Sequence, residues 1–318
     1  MRDIFNDALN APTGRLAEIL IHKVGQGDQT EISNAIRKRL DRLVSSPGHA
    51  GLLARVRLAA DVPFFFSHAP TWTRERLVPL FEWSSPDAAD IWSARRYSSY
   101  IGPPELFDLF KKPLLEMFGR SEVADGIETF ADWLVAILIA NRVDHADYSL
   151  SDIEARAALR RAGDKALSIV AHRLAIEMER GLPDQKRAHW RDVVGSVFQA
   201  IWPLDVDLQT SSTTFELVRI LLAAGDAFPE AADVILPFIR PDEPRSQTTI
   251  YSISNAPDAF YKAAPEKLLD VVAAVVGQAP PGSVYALARV LERLRAAEPQ
   301  IAGNRKFQRL LSGASQYR

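Results

Sequence analysis

Two short stretches hold the residue types from which catalytic sites are commonly built. Asp144-His145-Ala146-Asp147 sets a histidine among acids, where it could act as a base or a metal ligand. No second histidine stands at ligand spacing and the surroundings are polar, so the stretch reads as a solvated loop between helices. His189-Trp190-Arg191-Asp192 could bring a histidine, a cation and an acid to a ligand beside an aromatic wall. On a helix, however, adjacent side chains point in different directions, and Trp190 at a helix start reads as a packing anchor. His22, His49, His68 and His172 are isolated, and none belongs to a recognisable triad motif. The chain has no cysteine, which excludes disulfides, thiolate zinc sites, iron–sulfur clusters and cysteine nucleophiles. No GxGxxG follows a strand and no GxxxxGK(S/T) occurs, so glycine supplies no phosphate cradle. The expectation is a protein that is not an enzyme and carries no cofactor and no metal.

Cations offer more than nucleophiles do. Arg37-Lys38-Arg39 with Arg42 is one run, and Arg95-Arg96 beside Tyr97 and Tyr100 is another. The second, with its interleaved aromatics, could hold a nucleic-acid strand. Arg156, Arg160, Arg161 and Lys165 recur at i, i+4, i+5 and i+9, which places them on one face of a long helix. Acids are spread among all of these, and the net charge of −2 gives no overall pull toward nucleic acid or anionic lipid. The basic faces are therefore expected to be solvated or to meet a protein partner. Arg240 to Pro257 is the longest polar, turn-rich segment, and it adds Arg240 and Arg245 as candidate partner-binding residues. Within it, TTIYSIS has the β-propensity of a lone short strand.

Helices must position all of these groups. The stretch from Ala188 to Pro241 shows the grammar most clearly. Val193, Val194, Val197, Ile201 and Trp202 recur at helical spacing until Pro203 ends the run. Ser211 to Thr213 offer caps for a stripe of Phe215, Val218, Leu221 and Leu222, which Gly225 closes. Pro229 then stands as a first-turn proline before Ala232, Ile235, Leu236 and Ile239. Ser151-Asp152-Ile153-Glu154 fits a capping box that opens a long run, with a bend or break at Gly163. From 70 to 119 the chain is dense in aromatics and prolines, and Pro79 and Pro113 should kink or split their helices.

The same periodicity covers most of the 318 residues, giving an all-α fold, an α-solenoid or irregular array of about thirteen to fifteen helices. We place an N-terminal helical subdomain over residues 1–145 and a C-terminal one over 146–318, or one continuous array. Hydrophobic residues at 47% and charged residues at 25% are ordinary globular values. WLVAILIA, residues 133–140, is the longest strongly apolar run and is too short to span a bilayer. The N-terminus has no apolar core of a signal peptide, so a cytoplasmic location is expected.

Four stretches carry a resemblance. ALNAPTGRLAEIL, WTRERLVPLFEWSSPDAADIW, WRDVVGSVFQAIWPLD and LLAAGDAFPEAADVILPFI together thread residues 8–311. In that order they resemble the helical region, a domain of unknown function, that follows the sirtuin-like domain of bacterial sirtuin-associated anti-phage defence proteins. The shared motifs are packing motifs. The Gly-Ala-Gly cofactor turn and catalytic histidine motif of the sirtuin domain do not occur in these residues, so NAD hydrolysis is carried to no position here. The resemblance implies a sensor or regulatory module, either split from its effector or acting beside a separately encoded one. The alternative is a helical array that binds nucleic acid through its arginine-rich faces, which strong salt dependence of binding would reveal.

Overall fold

Proline and glycine set most of the helix boundaries. The computed structural model describes residues 3–26, 32–98, 100–242, 248–280 and 282–314. In chain order the helices are α1 (Ile4–Asn10), α2 (Pro12–Gly25), α3 (Asn34–Ser45), α4 (Gly48–Ala60), α5 (Val62–His68), α6 (Pro70–Arg76), α7 (Ala88–Arg95), α8 (Pro104–Met117) and α9 (Ile127–Val143). They continue as α10 (Asp152–Ala162), α11 (Asp164–Arg180), α12 (Lys186–His189), α13 (Gly195–Ile201), α14 (Thr214–Ala223) and α15 (Phe228–Ile235). The last are α16 (Thr248–Ser254), α17 (Asp258–Ala263), α18 (Pro265–Val276), α19 (Leu287–Ala297) and α20 (Arg305–Ala314). No strand occurs among the described residues, so the chain is all-α. The segments outnumber the thirteen to fifteen expected because short helices and 3-10 turns divide several runs that periodicity alone reads as continuous.

Proline acts on its neighbours differently from place to place. Pro12, Pro70, Pro104 and Pro265 each begin a helix, where the missing N–H has no partner to lose. Pro79 belongs to a 3-10 turn, Val78–Phe81, that ends the α6 run. Pro113 does not split its helix, because α8 runs through it to Met117.

Two compact units make up the fold: residues 1–137 with 146–154, and residues 138–145 with 155–318. In the first, α4 packs against α1, α2, α3 and α7. Its core is aromatic: Phe81 meets Trp92 at 5.0 Å and Phe110 at 4.6 Å, and Trp92 meets Phe130 edge-on at 5.6 Å. Phe65 and Phe66 are buried within α5. In the second unit α11 lies along α14. Leu167, Val170 and Leu174 on α11, and Leu217, Ile220 and Leu221 on α14, are fully buried.

Three local readings are corrected. TTIYSIS is not a strand but α16: a lone strand leaves its backbone N–H and C=O groups unpaired, whereas a helix satisfies them internally and puts Ile250 and Ile253 on one buried face. The break expected at Gly163 is present, with φ +81° between α10 and α11, and it has a consequence for the basic face. Lys165 therefore stands on α11 and does not share a helix with Arg156, Arg160 and Arg161. In the central stretch, α12 and α13 are joined by one turn of π-helix, Trp190–Val194, that the 3.6 spacing does not disclose.

Candidate partner-docking surface

Within the second unit, two of the candidate arginines hold one loop and a third holds the helix before it. Trp202 closes α13 with its indole buried, stacked on Phe198 at 4.8 Å and set edge-on to Phe238 at 6.2 Å. The chain leaves this anchor as Pro203 to Thr210, with a 3-10 turn at Val206–Leu208. Arg160 reaches from α10 to the Asp205 carboxylate at 2.5 Å. The Arg240 guanidinium donates to the Gln209 side-chain oxygen and to the carbonyls of Pro237 and Ile239 at 2.9 and 3.0 Å. Gln209 in turn donates to the Leu204 carbonyl at 3.3 Å. Arg156 donates to the Gln199 carbonyl at 2.8 Å, one turn before the loop begins. Thr214 and Arg240 exchange a second pair of bonds, with the Thr214 hydroxyl donating to the Arg240 carbonyl at 2.7 Å and accepting from its N–H at 3.1 Å.

What this clamp holds outward is apolar. Leu204 is 70% exposed and Val206 73%, on either side of the Asp205 that Arg160 grips. Arg160, Arg161 and Lys165 are exposed as well. Two aliphatic side chains in water forgo about 1.5–3 kcal/mol each of burial free energy. Fixing the backbone beneath them means that a partner does not have to order it, which lowers the entropic cost of docking. Asp205 and Asp207 stand on the loop itself, and Arg156, Arg160 and Arg240 reach it or the helix before it.

Sequence reasoning grouped Arg156, Arg160, Arg161 and Lys165 on one helix face, of which Lys165 belongs to the next helix, and separately picked Arg240. It did not connect Arg240 with the others, and it passed over Leu204 and Val206. The signal available was slight: two aliphatics alternating with acids just after a proline that ends a helix. Arg245 lies outside the described residues.

The remaining chemistry-bearing stretches are absorbed by structure. Asp144, His145 and Asp147 are exposed in a loop, with left-handed backbone at His145 and Asp147. Among the described residues no three His, Asp or Glu side chains are grouped to hold a metal ion. His189, Trp190 and Arg191 turn to three different partners. His189 meets the Glu177 carbonyl at 2.9 Å, Trp190 is buried, and Arg191 forms a two-pronged pair with Glu230 at 2.6 and 2.8 Å.

A serine and a histidine do meet at Ser67 and His68, 2.9 Å apart. Both also reach the Phe64 carbonyl, at 2.8 and 2.9 Å. A carbonyl only accepts, so the Ser67 proton and an Nδ1 proton of His68 are both directed at it, and Nδ1 is not a base for Ser67. Arg95 differs from the surface cation that its sequence context predicts. It is 1% exposed, lies over the Trp133 ring at 4.8 Å, and burial lowers its pKa to about 10. It therefore cannot meet a nucleic-acid strand on the surface.

No family model matches the chain, and no solved structure matches it. It is similar to an uncharacterized protein, y4cA, of Sinorhizobium fredii (strain NBRC 101917 / NGR234), at 25% identity over 323 residues. That match covers 97% of this chain and 26% of the relative, so the chain spans about a quarter of the relative's length. No helix among the described residues is long and apolar enough to cross a membrane.

Proposed function

We propose that the chain is a non-enzymatic helical module that docks a protein partner on the clamped loop of its second unit. The observation that carries this reading is the pair Leu204 and Val206, 70% and 73% exposed on a loop tied down by Arg160 and Arg240. The two stand within three residues of one another on that loop, and a partner's apolar surface would cover both. The complementary occupant is a protein segment with aliphatic side chains flanked by aspartate or glutamate. Its apolar groups cover Leu204 and Val206, and its acids face Arg161, Lys165 and the outer edge of Arg160. The sequence resemblance supports a setting in bacterial anti-phage defence, where the module regulates or positions a separately encoded effector.

The test is affinity capture from the native host under three conditions: wild type, Leu204→Ser with Val206→Ser, and Arg160→Glu with Arg161→Glu. The reading expects one protein partner held by wild type and lost by both double variants. Salt-sensitive nucleic acid in place of a protein would move the assignment to a nucleic-acid-binding array. Turnover of a nucleotide by the lone chain would overturn the non-enzymatic reading.

A further inference from the structure

Elsewhere in the second unit, between α16 and the start of α19, lies an open cleft of about 520 Å³. That is within the few hundred to a thousand Å³ typical of small-molecule sites. Tyr251 and Tyr285 form one wall, their rings 27° from parallel with centroids 6.1 Å apart. Both remain open to solvent, 48% and 65% exposed. Val284 and Ala288 contribute aliphatic surface, and Arg289, four residues beyond Tyr285 and in the first turn of α19, stands in the lining.

The two arginines on this side of α19 are used differently. Arg293 is paired with Asp258 at 2.6 Å and lies over the Tyr261 ring at 4.1 Å. Arg289 instead makes a 3.3 Å contact with the neutral Asn255 amide, and among the described residues it has no carboxylate within ion-pair distance. It also sits in the first turn of its helix, where the backbone dipole favours an acid and a cation is unfavourable. Neither pairing nor helix stability accounts for a cation there. A ligand's negative charge would.

From these features we infer that the cleft binds a mononucleotide, its planar base stacked on the Tyr285–Tyr251 wall and its phosphate facing Arg289. The wall supplies stacking that tolerates any base, and the guanidinium supplies a planar fork matched to phosphate oxygens. This site is separate from the clamped loop, so either can fail without the other.

The experiment is calorimetric titration of the full chain with adenosine 5′-monophosphate, adenosine and inorganic phosphate. Saturable binding of the monophosphate is expected, weakened by about tenfold or more in Tyr285→Ala, the scale of one lost base stack. Tyr285→Phe, which keeps the ring, should bind within about twofold of wild type. Arg289→Gln should weaken the monophosphate about tenfold and leave adenosine unchanged, since only the charge-assisted bond is lost. Both side chains are exposed, so the variants should keep the wild-type melting temperature. Absence of saturable binding of the monophosphate to wild type would overturn the inference. So would equal binding by wild type, Tyr285→Ala and Arg289→Gln.

Discussion

Glu154 shows what a single side chain contributes at a helix start. Its carboxylate accepts from the Ser151 N–H at 2.9 Å and from the Ser151 hydroxyl at 2.8 Å, while that hydroxyl accepts from the Glu154 N–H at 3.3 Å. This is the capping box that the spacing Ser151-x-x-Glu154 predicts. Lys111 adds an ion pair at 2.9 Å. Burial pushes the Glu154 pKa upward, but the Lys111 and Ser151 hydrogen bonds outweigh it and hold the carboxyl below its ordinary 4.5. Folding therefore favours the ionised form. The stabilisation is complete above the unfolded value near 4.5 and fades as pH falls through the lowered folded value. Glu154→Ala should cost about 0.5–1 kcal/mol at pH 7, the usual worth of a cap, and nearly nothing at pH 2. Urea unfolding at the two pH values checks this. An equal loss at both would mean that the charged capping geometry is not what stabilises α10.

At the scale of elements, the region from Trp190 to Trp202 is where local preference and packing disagree. By helix propensity, Gly195→Ala should stabilise α13 by up to about 1 kcal/mol. The π turn before it, however, brings the Trp190 indole against Gly195, so an added methyl would lie 2.6 and 2.9 Å from Cε2 and Cζ2 of that ring. Trp190 is buried and cannot swing into solvent. Gly195→Ala should therefore destabilise by about 1–3 kcal/mol, as overpacked cores do. A raised melting temperature in that variant would refute the close approach. Trp202→Ala should cost about 3–5 kcal/mol through the cavity left beside Phe198 and Phe238, measured by denaturant midpoint. A midpoint close to that of wild type would show that the indole is not the anchor from which the docking loop departs.

These elements also show which parts of the molecule sequence reveals. Apolar spacing, capping residues and prolines report local backbone preference, so the start of α10 and the end of α13 were readable. The π turn, the helical state of TTIYSIS and the persistence of α8 through Pro113 are decided by tertiary packing, to which spacing is blind. The clamped loop falls between these cases. Its arginines were visible as cations, but the grip of Arg160 and Arg240 joins residues 45 and 31 positions apart. The value of Leu204 and Val206 lies in being exposed, and a sequence does not state exposure.

Taken whole, the molecule is an all-α helical array, and many of its charged groups form ion pairs with one another. Circular dichroism should show mostly helix with strand near zero, and a strand fraction of a quarter or more would contradict the fold. The match covers about a quarter of a longer relative, and that the chain works as a module is our proposal. Its central claim is docking at the clamped loop, and site-specific photo-cross-linking tests that most directly. A photoreactive residue would be placed at Val206, and in a second protein at Gln308, which is exposed on α20. Both would be irradiated in host cells. The account predicts a protein adduct at position 206 whose cross-linked segment is rich in aspartate or glutamate beside aliphatic residues, absent at position 308 and abolished by Arg160→Glu with Arg161→Glu. A nucleic-acid adduct, the same protein adduct at both positions, or none at position 206 would contradict it.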